Sequence, residues 1–250
     1  AYLIDALTYG AAIAALVLMR PIPPAPGAVR PSVAAVVEGL RFARRRRPVL
    51  GTFLVDLVAM VFGSPRSLFP AMALDVFKVG PVGLGLFSSA IALGAMLGAF
   101  FTGWTTRVRR PGRAVLIAVA VWGFGIAGFG LLTFSFPLAL LCLAIAAAAD
   151  VVSAVLRSFM VQSLTPDALR GRVSSIHILV VTGGPRIGDA EAAAVAAIAG
   201  PAVSVVSGGI LTVIGVGVLA LAMPEFAKVD MRKAEAETAA MEAEMEAARA

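Results

Sequence analysis

Apolar residues gather into seven long stretches, at about residues 1–19, 49–74, 82–105, 114–134, 137–163, 173–199 and 201–222. A helix needs roughly 20 residues to cross a hydrocarbon core about 30 Å thick, and each stretch reaches or approaches that length. Barrel strands would be about 9–11 residues long with alternating polarity, a pattern these stretches lack. The chain is therefore expected to be all-α, a polytopic membrane helix bundle. Small residues at Gly94 and Gly98, and the cluster Gly123, Gly125, Gly128 and Gly130, suit helices that approach closely.

Composition points the same way. Of 250 residues, 60% are hydrophobic and 14% charged, against about 25% charged in an ordinary soluble domain. Mean hydropathy is +0.94, so neither a soluble globule nor a disordered chain fits. One cysteine, Cys142, excludes a disulfide framework, and with one histidine, His177, it excludes a Cys/His zinc site. No metal and no other cofactor is expected. The net charge of +6 does not point to nucleic acid, because most bases lie in short loops between apolar runs. There they set orientation in the lipid bilayer and meet its anionic headgroups.

The loops alternate in charge. Residues 20–48 hold seven bases, Arg20, Arg30, Arg41 and Arg44 to Arg47. The next loop holds only Lys78, the following one Arg107, Arg109, Arg110 and Arg113, and the one after that none. Arg170 and Arg172 follow, and the break near Gly200 has no base. The positive-inside rule makes the basic set cytoplasmic, and the C-terminus falls on that side too.

Four regions follow: 1–19, one membrane helix; 20–48, a cytoplasmic linker; 49–222, a six-helix transmembrane bundle; and 223–250, an acidic cytoplasmic tail. In the linker, Pro21, Pro23, Pro24, Pro26 and Pro31 favour an extended chain. Ser32 then caps a short basic helix with Val33, Val36, Val37 and Leu40 on one face, suited to lying on the inner leaflet. From Glu225 the tail has seven acids and four bases, and it reads as a solvated helix. Its 3–4 spacing of Met231, Ala234, Thr238, Met241, Met245 and Ala248 is too short and weakly apolar for a coiled coil.

No HExxH, GxSxG or Walker A motif is present, so nothing marks an enzyme. The informative residues are charges inside apolar stretches: Asp5, Asp56, Arg66, Asp150, Arg157, Arg186, Asp189 and Glu191. Each costs roughly 2.5–3.5 kcal/mol at mid-bilayer, so they must face one another or a wet cavity. By helical rise, Arg66 lies about 25 Å along its stretch and Asp150 about 20 Å along its own. Asp150, Ser153 and Arg157 form one stripe in which the two charges are about 10 Å apart, so each needs a partner on another helix. Arg186 and Asp189 are spaced for an i,i+3 ion pair. Gly183-Gly184-Pro185 interrupts the sixth stretch, as a broken helix beside a site or as a simple kink. The set fits a solute pathway with a titratable carboxylate: Asp150 first for proton coupling, then Asp189 or Glu191. Asp56, Arg66, Arg157 and Arg186 are pathway or ion-pair candidates. The alternative is structural pairs that fix helix register.

The residues also resemble a known family. Asp56-Leu-Val-Ala-Met-Val-Phe-Gly-Ser-Pro-Arg-Ser-Leu-Phe-Pro70, Gly103-Trp-Thr-Thr-Arg107 with Gly112-Arg113, Asp150-Val-Val-Ser-Ala-Val-Leu-Arg157, Thr165-Pro-Asp-Ala-Leu-Arg-Gly-Arg-Val173 and Gly183-Gly-Pro-Arg-Ile-Gly-Asp189-Ala-Glu191 are similar to segments of major facilitator superfamily transporters. The branch is that of the enterobactin exporter and related bacterial drug exporters. The resemblance covers about residues 1–225. It implies the C-terminal six-helix half of such a fold plus the preceding helix, in a bacterial inner membrane. It also implies cytoplasmic gating loops containing Gly103, Arg107, Gly112 and Arg113, and Asp167, Arg170, Gly171 and Arg172. The first loop here lacks the acidic residue that family members often carry. Family members move a small-molecule substrate by alternating access between two halves, usually driven by protons. With its partner half missing, this chain reads as a fragment of a secondary-active exporter of small amphiphilic molecules such as siderophores or antibiotics. The alternative is a non-transporting membrane scaffold or partner-binding half-size protein.

Overall fold

The computed structural model describes residues 2–19, 33–100, 102, 103, 105 and 108–247. The side chains of residues 2–7, 33–35, 168, 245 and 246 lie outside the description. The proline-rich stretch, Ser32 and Arg107 therefore fall outside the described residues, as do the side chains of Asp5, Val33 and Met245 and all of Ala248.

Two compact units divide the chain, residues 1–30 and 31–250. In the first, α1 spans Tyr2–Leu18. Its side chains from Tyr9 to Met19 are exposed.

The second unit is helical throughout its described residues. Helix α2 (Val33–Arg45) is followed at once by α3 (Arg47–Phe62). Next come a 3-10 turn at Arg66–Leu68, a single α turn, α4 (Phe69–Ala71), and a π turn at Met72–Val76. Then follow α5 (Gly80–Phe100), α6 (Pro111–Leu131), α7 (Phe136–Ser163), α8 (Asp167–Ala199) and α9 (Pro201–Ala222). Short α10 (Pro224–Lys228) and the tail helix α11 (Met231–Ala247) close the chain. Prolines in the first turn start α3, α6, α7, α9 and α10, where the missing N–H costs nothing. Gly200, at φ 90°, adopts the left-handed conformation that reverses α8 into α9.

Among the described residues, five of the seven expected segments are long and apolar enough to cross a membrane: Arg47–Val76, α5, α6, α7 and α9. Helix α8 is longer than any of these, at 33 residues, but Arg186, Asp189 and Glu191 reduce its apolar character. It packs against α3 and α9. The strongest pairings are α6 with α7, α6 with α9, and α5 with α7.

Glycines set the closest of these approaches. A methyl group on Gly94 would lie 2.0 Å from the Ala144 carbonyl oxygen, and one on Gly98 2.7 Å from that of Ala148. These two positions let α5 lie directly on α7. Gly123 and Gly209 do the same between α6 and α9.

Two expectations change. Gly183-Gly184-Pro185 does not interrupt α8, which is continuous from Asp167 to Ala199 with Pro185 inside it. Gly184 and Gly188 instead bring it against Met60 and Val61 of α3. The broken helix is the first membrane segment of this unit, where Gly63-Ser64-Pro65 stops α3.

The tail is the other correction. It is docked, with Met231, Ala234 and Thr238 buried. Arg46 bonds Glu237 at 3.0 Å and Thr238 at 2.8 Å. The Met231 N–H donates to the Arg109 carbonyl, and the Asp167 N–H to Glu242 Oε1. The three loops grouped by their positive charge thus meet at one end of the bundle. Helix α2 packs on α8 through Gly39, which touches the Arg172 backbone, and Glu38 pairs with Arg172. Val37 and Leu40 remain exposed, so the buried face is that of Gly39 and Ala43.

Replacing Gly94 by Ala should destabilise the bundle by about 1–3 kcal/mol, because backbone must move. Gly85→Ala, which meets nothing within 4 Å, should leave the thermal midpoint in detergent unchanged.

Candidate functional site

Helices α3, α7 and α8 carry ionisable groups toward one another. Asp56 comes from the middle of α3 and is 1% exposed; Arg157 comes from the last third of α7 and is 3% exposed. Arg157 Nη2 lies 2.9 Å from Asp56 Oδ1, and its Nη1 donates to Ser153 Oγ at 2.7 Å. The contact with Asp56 is ionic: neither carboxylate oxygen has an aligned hydrogen-bond donor, and Arg157 Nε lacks an acceptor. On α8, His177 Nδ1 stands 4.0 Å from Asp56 Oδ2. Its ring lies against Phe53, at 6.3 Å between centroids. The histidine side chain is about one-third exposed, at 35%, and is the most exposed member of the group.

About two turns of α7 before Arg157, Asp150 lines a separate cavity of about 260 Å³. That volume has room for several waters. The break after α3 supplies Ser64, Pro65 and Arg66; α6 supplies Trp122 and Ile126; α8 supplies Val181 and Pro185. Asp150 and Arg66 are its two charged lining residues. Asp150 makes no salt bridge among the described residues. A half-buried carboxylate in the wall of a largely apolar cavity, with a guanidinium in the same wall, can bind water, a proton or a polar ligand group.

The break that presents Arg66 is held from two sides. Asp189 Oδ1 accepts the Ser67 N–H at 3.3 Å, tying α8 to the 3-10 turn. Beyond it, Phe69 and Phe77 join Phe87, Phe129 and Phe136 in one aromatic cluster with centroids 5.1–5.9 Å apart. Such ring pairs add about 0.5–1.5 kcal/mol each beyond area burial. The irregular backbone is thus fixed in place.

The sequence profile of the Major Facilitator Superfamily matches residues 1–188. The chain belongs to the major facilitator superfamily. Proteins named "Enterobactin exporter EntS" from Escherichia coli O81 (strain ED1a), Escherichia coli O139:H28 (strain E24377A / ETEC) and Shigella boydii serotype 18 (strain CDC 3083-94 / BS512) are 29% identical to it over 202 residues. Those 202 residues are 80% of this chain and 48% of each relative, so the chain spans about half the length of the curated relatives it matches. No solved structure matches.

Within this superfamily member the structure unites some of the sequence candidates and separates others. Asp56 and Arg157 form the buried pair, and Asp150 and Arg66 share the cavity. Arg186 and Asp189 do not pair: Arg186 is exposed, and Asp189 turns to Ser67. Glu191 is half-buried and lines none of these contacts. In the loops, Gly103 is exposed, Gly112 packs on the Phe226 carbonyl, Arg113 is exposed, Arg170 bonds Asp167 at 2.6 Å, and Gly171 is exposed next to the paired Arg172. His177 beside Asp56 was legible only as a lone histidine. Among the described residues no cluster of three or more His, Cys, Asp or Glu could hold a metal.

Removing one member of the buried pair should be costly. Asp56→Asn or Arg157→Gln is expected to lower stability by about 3–5 kcal/mol, because the remaining charge is stranded. The double variant Asp56→Leu/Arg157→Met should recover most of that loss in a detergent melt.

Proposed function

We propose that this chain provides the C-terminal six-helix half, with the preceding helix, of a secondary-active exporter of a small amphiphilic molecule such as a siderophore or antibiotic. Transport proceeds by alternating access and is coupled to protons. Membership in a transporter superfamily and the exporter relatives support transport over an enzymatic role. The observation that carries the reading is the cavity in which Asp150 and Arg66 share a wall beside a broken helix. Irregular backbone inside a bilayer is tolerated where it lines such a cavity. Asp150 serves as the proton carrier and Arg66 as its countercharge or substrate anchor. Asp189 holds the Arg66 turn, while Glu191 and Arg186 stand further out as reserve pathway residues. The Asp56–Arg157 pair fixes the register of α3 against α7.

The remaining architecture follows from that reading. A first six-helix half, in a longer protein, completes the pathway; the length of the relatives accommodates one. Exposed apolar residues along α5 and α8, among them Leu93, Met96, Ile178 and Val181, supply surface for that half and for lipid. The protein sits in a bacterial inner membrane, with the basic loops, residues 20–48 and the tail 223–250 in the cytoplasm. The loops around Gly103, Arg107, Gly112 and Arg113, and around Asp167, Arg170, Gly171 and Arg172, act at the cytoplasmic gate.

The test is efflux of enterobactin by the full-length protein in proteoliposomes with an imposed proton gradient. Asp150→Asn should abolish gradient-driven efflux while the protein remains inserted at wild-type level. Undiminished efflux would remove Asp150 from the mechanism.

A further inference from the structure

A second cavity, of about 720 Å³, lies at the end of the bundle where the α2–α3 junction meets α10 and α11. It is unlike the Asp150 cavity, because cations dominate it. Arg45, Arg46, Arg47, Lys228 and Lys233 line it, against Glu225, Asp230 and Glu237. Two of the carboxylates are already taken. Glu237 bonds Arg46 at 3.0 Å, and Glu225 lies 3.4 Å from Arg47. Asp230 is occupied in part, accepting the Arg232 N–H at 3.1 Å. Arg45, Lys228 and Lys233 make no salt bridge among the described residues. With Asp230 counted, the lining still has two more cations than carboxylates, an excess that attracts an anion.

The rest of the wall indicates which anion. Half-buried Pro48 and exposed Pro224 put apolar surface beside the cations, backed by buried Val49, Leu164 and Val229. The first membrane-length segment of this unit begins at Arg47, itself part of the cavity wall. A free phosphate would use the cations alone. A phospholipid uses both walls, its phosphate on the cations and its glycerol and upper acyl chain on the apolar side. We propose that this cavity is a binding site for the phosphate headgroup of an anionic phospholipid, independent of the transport pathway. The bound headgroup adds charge-assisted bonds between the tail and the α2–α3 junction, in parallel with Arg46–Glu237.

Native mass spectrometry of the purified chain in neutral detergent tests this with three probes: phosphatidylglycerol, phosphatidylcholine and inorganic phosphate. The wild-type chain should retain phosphatidylglycerol at concentrations about tenfold below those needed for phosphatidylcholine. The triple variant Arg45→Gln/Lys228→Gln/Lys233→Gln should lose that preference. Arg41→Gln/Arg44→Gln/Arg110→Gln, which removes as many bases outside the cavity, should keep it. Should the first triple variant fold poorly, the single change Lys233→Gln, on an exposed side chain, should still weaken retention about threefold. Equal retention of the two lipids, or equal loss in both triple variants, would overturn the proposal. So would a phosphatidylglycerol preference that Lys233→Gln leaves intact, or thermal stabilisation by inorganic phosphate with none by phosphatidylglycerol.

Discussion

An ion pair shut inside an apolar bundle organises this structure. Moving one unpaired charge to mid-bilayer costs at least about 2.5 kcal/mol on the lenient scale. Asp56 and Arg157 meet that cost together, and Ser153 takes one of the remaining guanidinium hydrogens. The pair permits essentially one register of α3 on α7. That register carries the end of α3 to the level of Asp150, where Gly63-Ser64-Pro65 breaks the helix and turns Arg66 into the same cavity. The pair thus sets α3 against α7, while Asp189 and the phenylalanine cluster hold the Arg66 turn beyond it.

The two ends of the bundle are secured by different means. At one end five phenylalanines lock the 3-10 and π turns against α5, α6 and α7. The contact is dry and geometric, suited to a segment whose backbone is irregular. At the other end the tail returns to the α2–α3 junction, the Arg109 loop and the start of α8 through polar bonds. The exposed bonds among them are individually weak, but Arg46–Thr238 is part-buried, and Phe226, Met231 and Ala234 are buried beside it.

Much of the fold was legible because a bilayer leaves few alternatives. Runs of about 20 apolar residues have to be helices, and the stretch at 201–222 coincides with α9. Charges within those runs were visible for the same reason. Partners were harder to read. The stripe Asp150, Ser153, Arg157 required a mate for Arg157 on another helix, but only packing could choose Asp56. Arg186 and Asp189 had ion-pair spacing, yet the 3-10 turn offered Asp189 a backbone N–H instead. Gly183-Gly184-Pro185 and Gly63-Ser64-Pro65 carry the same helix-breaking residues. One became a close approach to α3 and the other a break, because neighbours decide whether the freed backbone groups are satisfied. The tail's Met231, Ala234 and Thr238 showed the right spacing; what the sequence lacked was any sign that their partner was the bundle itself.

Whether water reaches Asp150 decides between a pathway and a sealed structural charge. The direct measurement replaces Asp150 with Cys in the membrane-inserted protein after Cys142→Ala, and follows modification by a membrane-impermeant maleimide applied from each side of the membrane. A conducting cavity predicts labelling from at least one side, altered by an imposed proton gradient. Complete protection from both sides, with and without the gradient, would contradict the account.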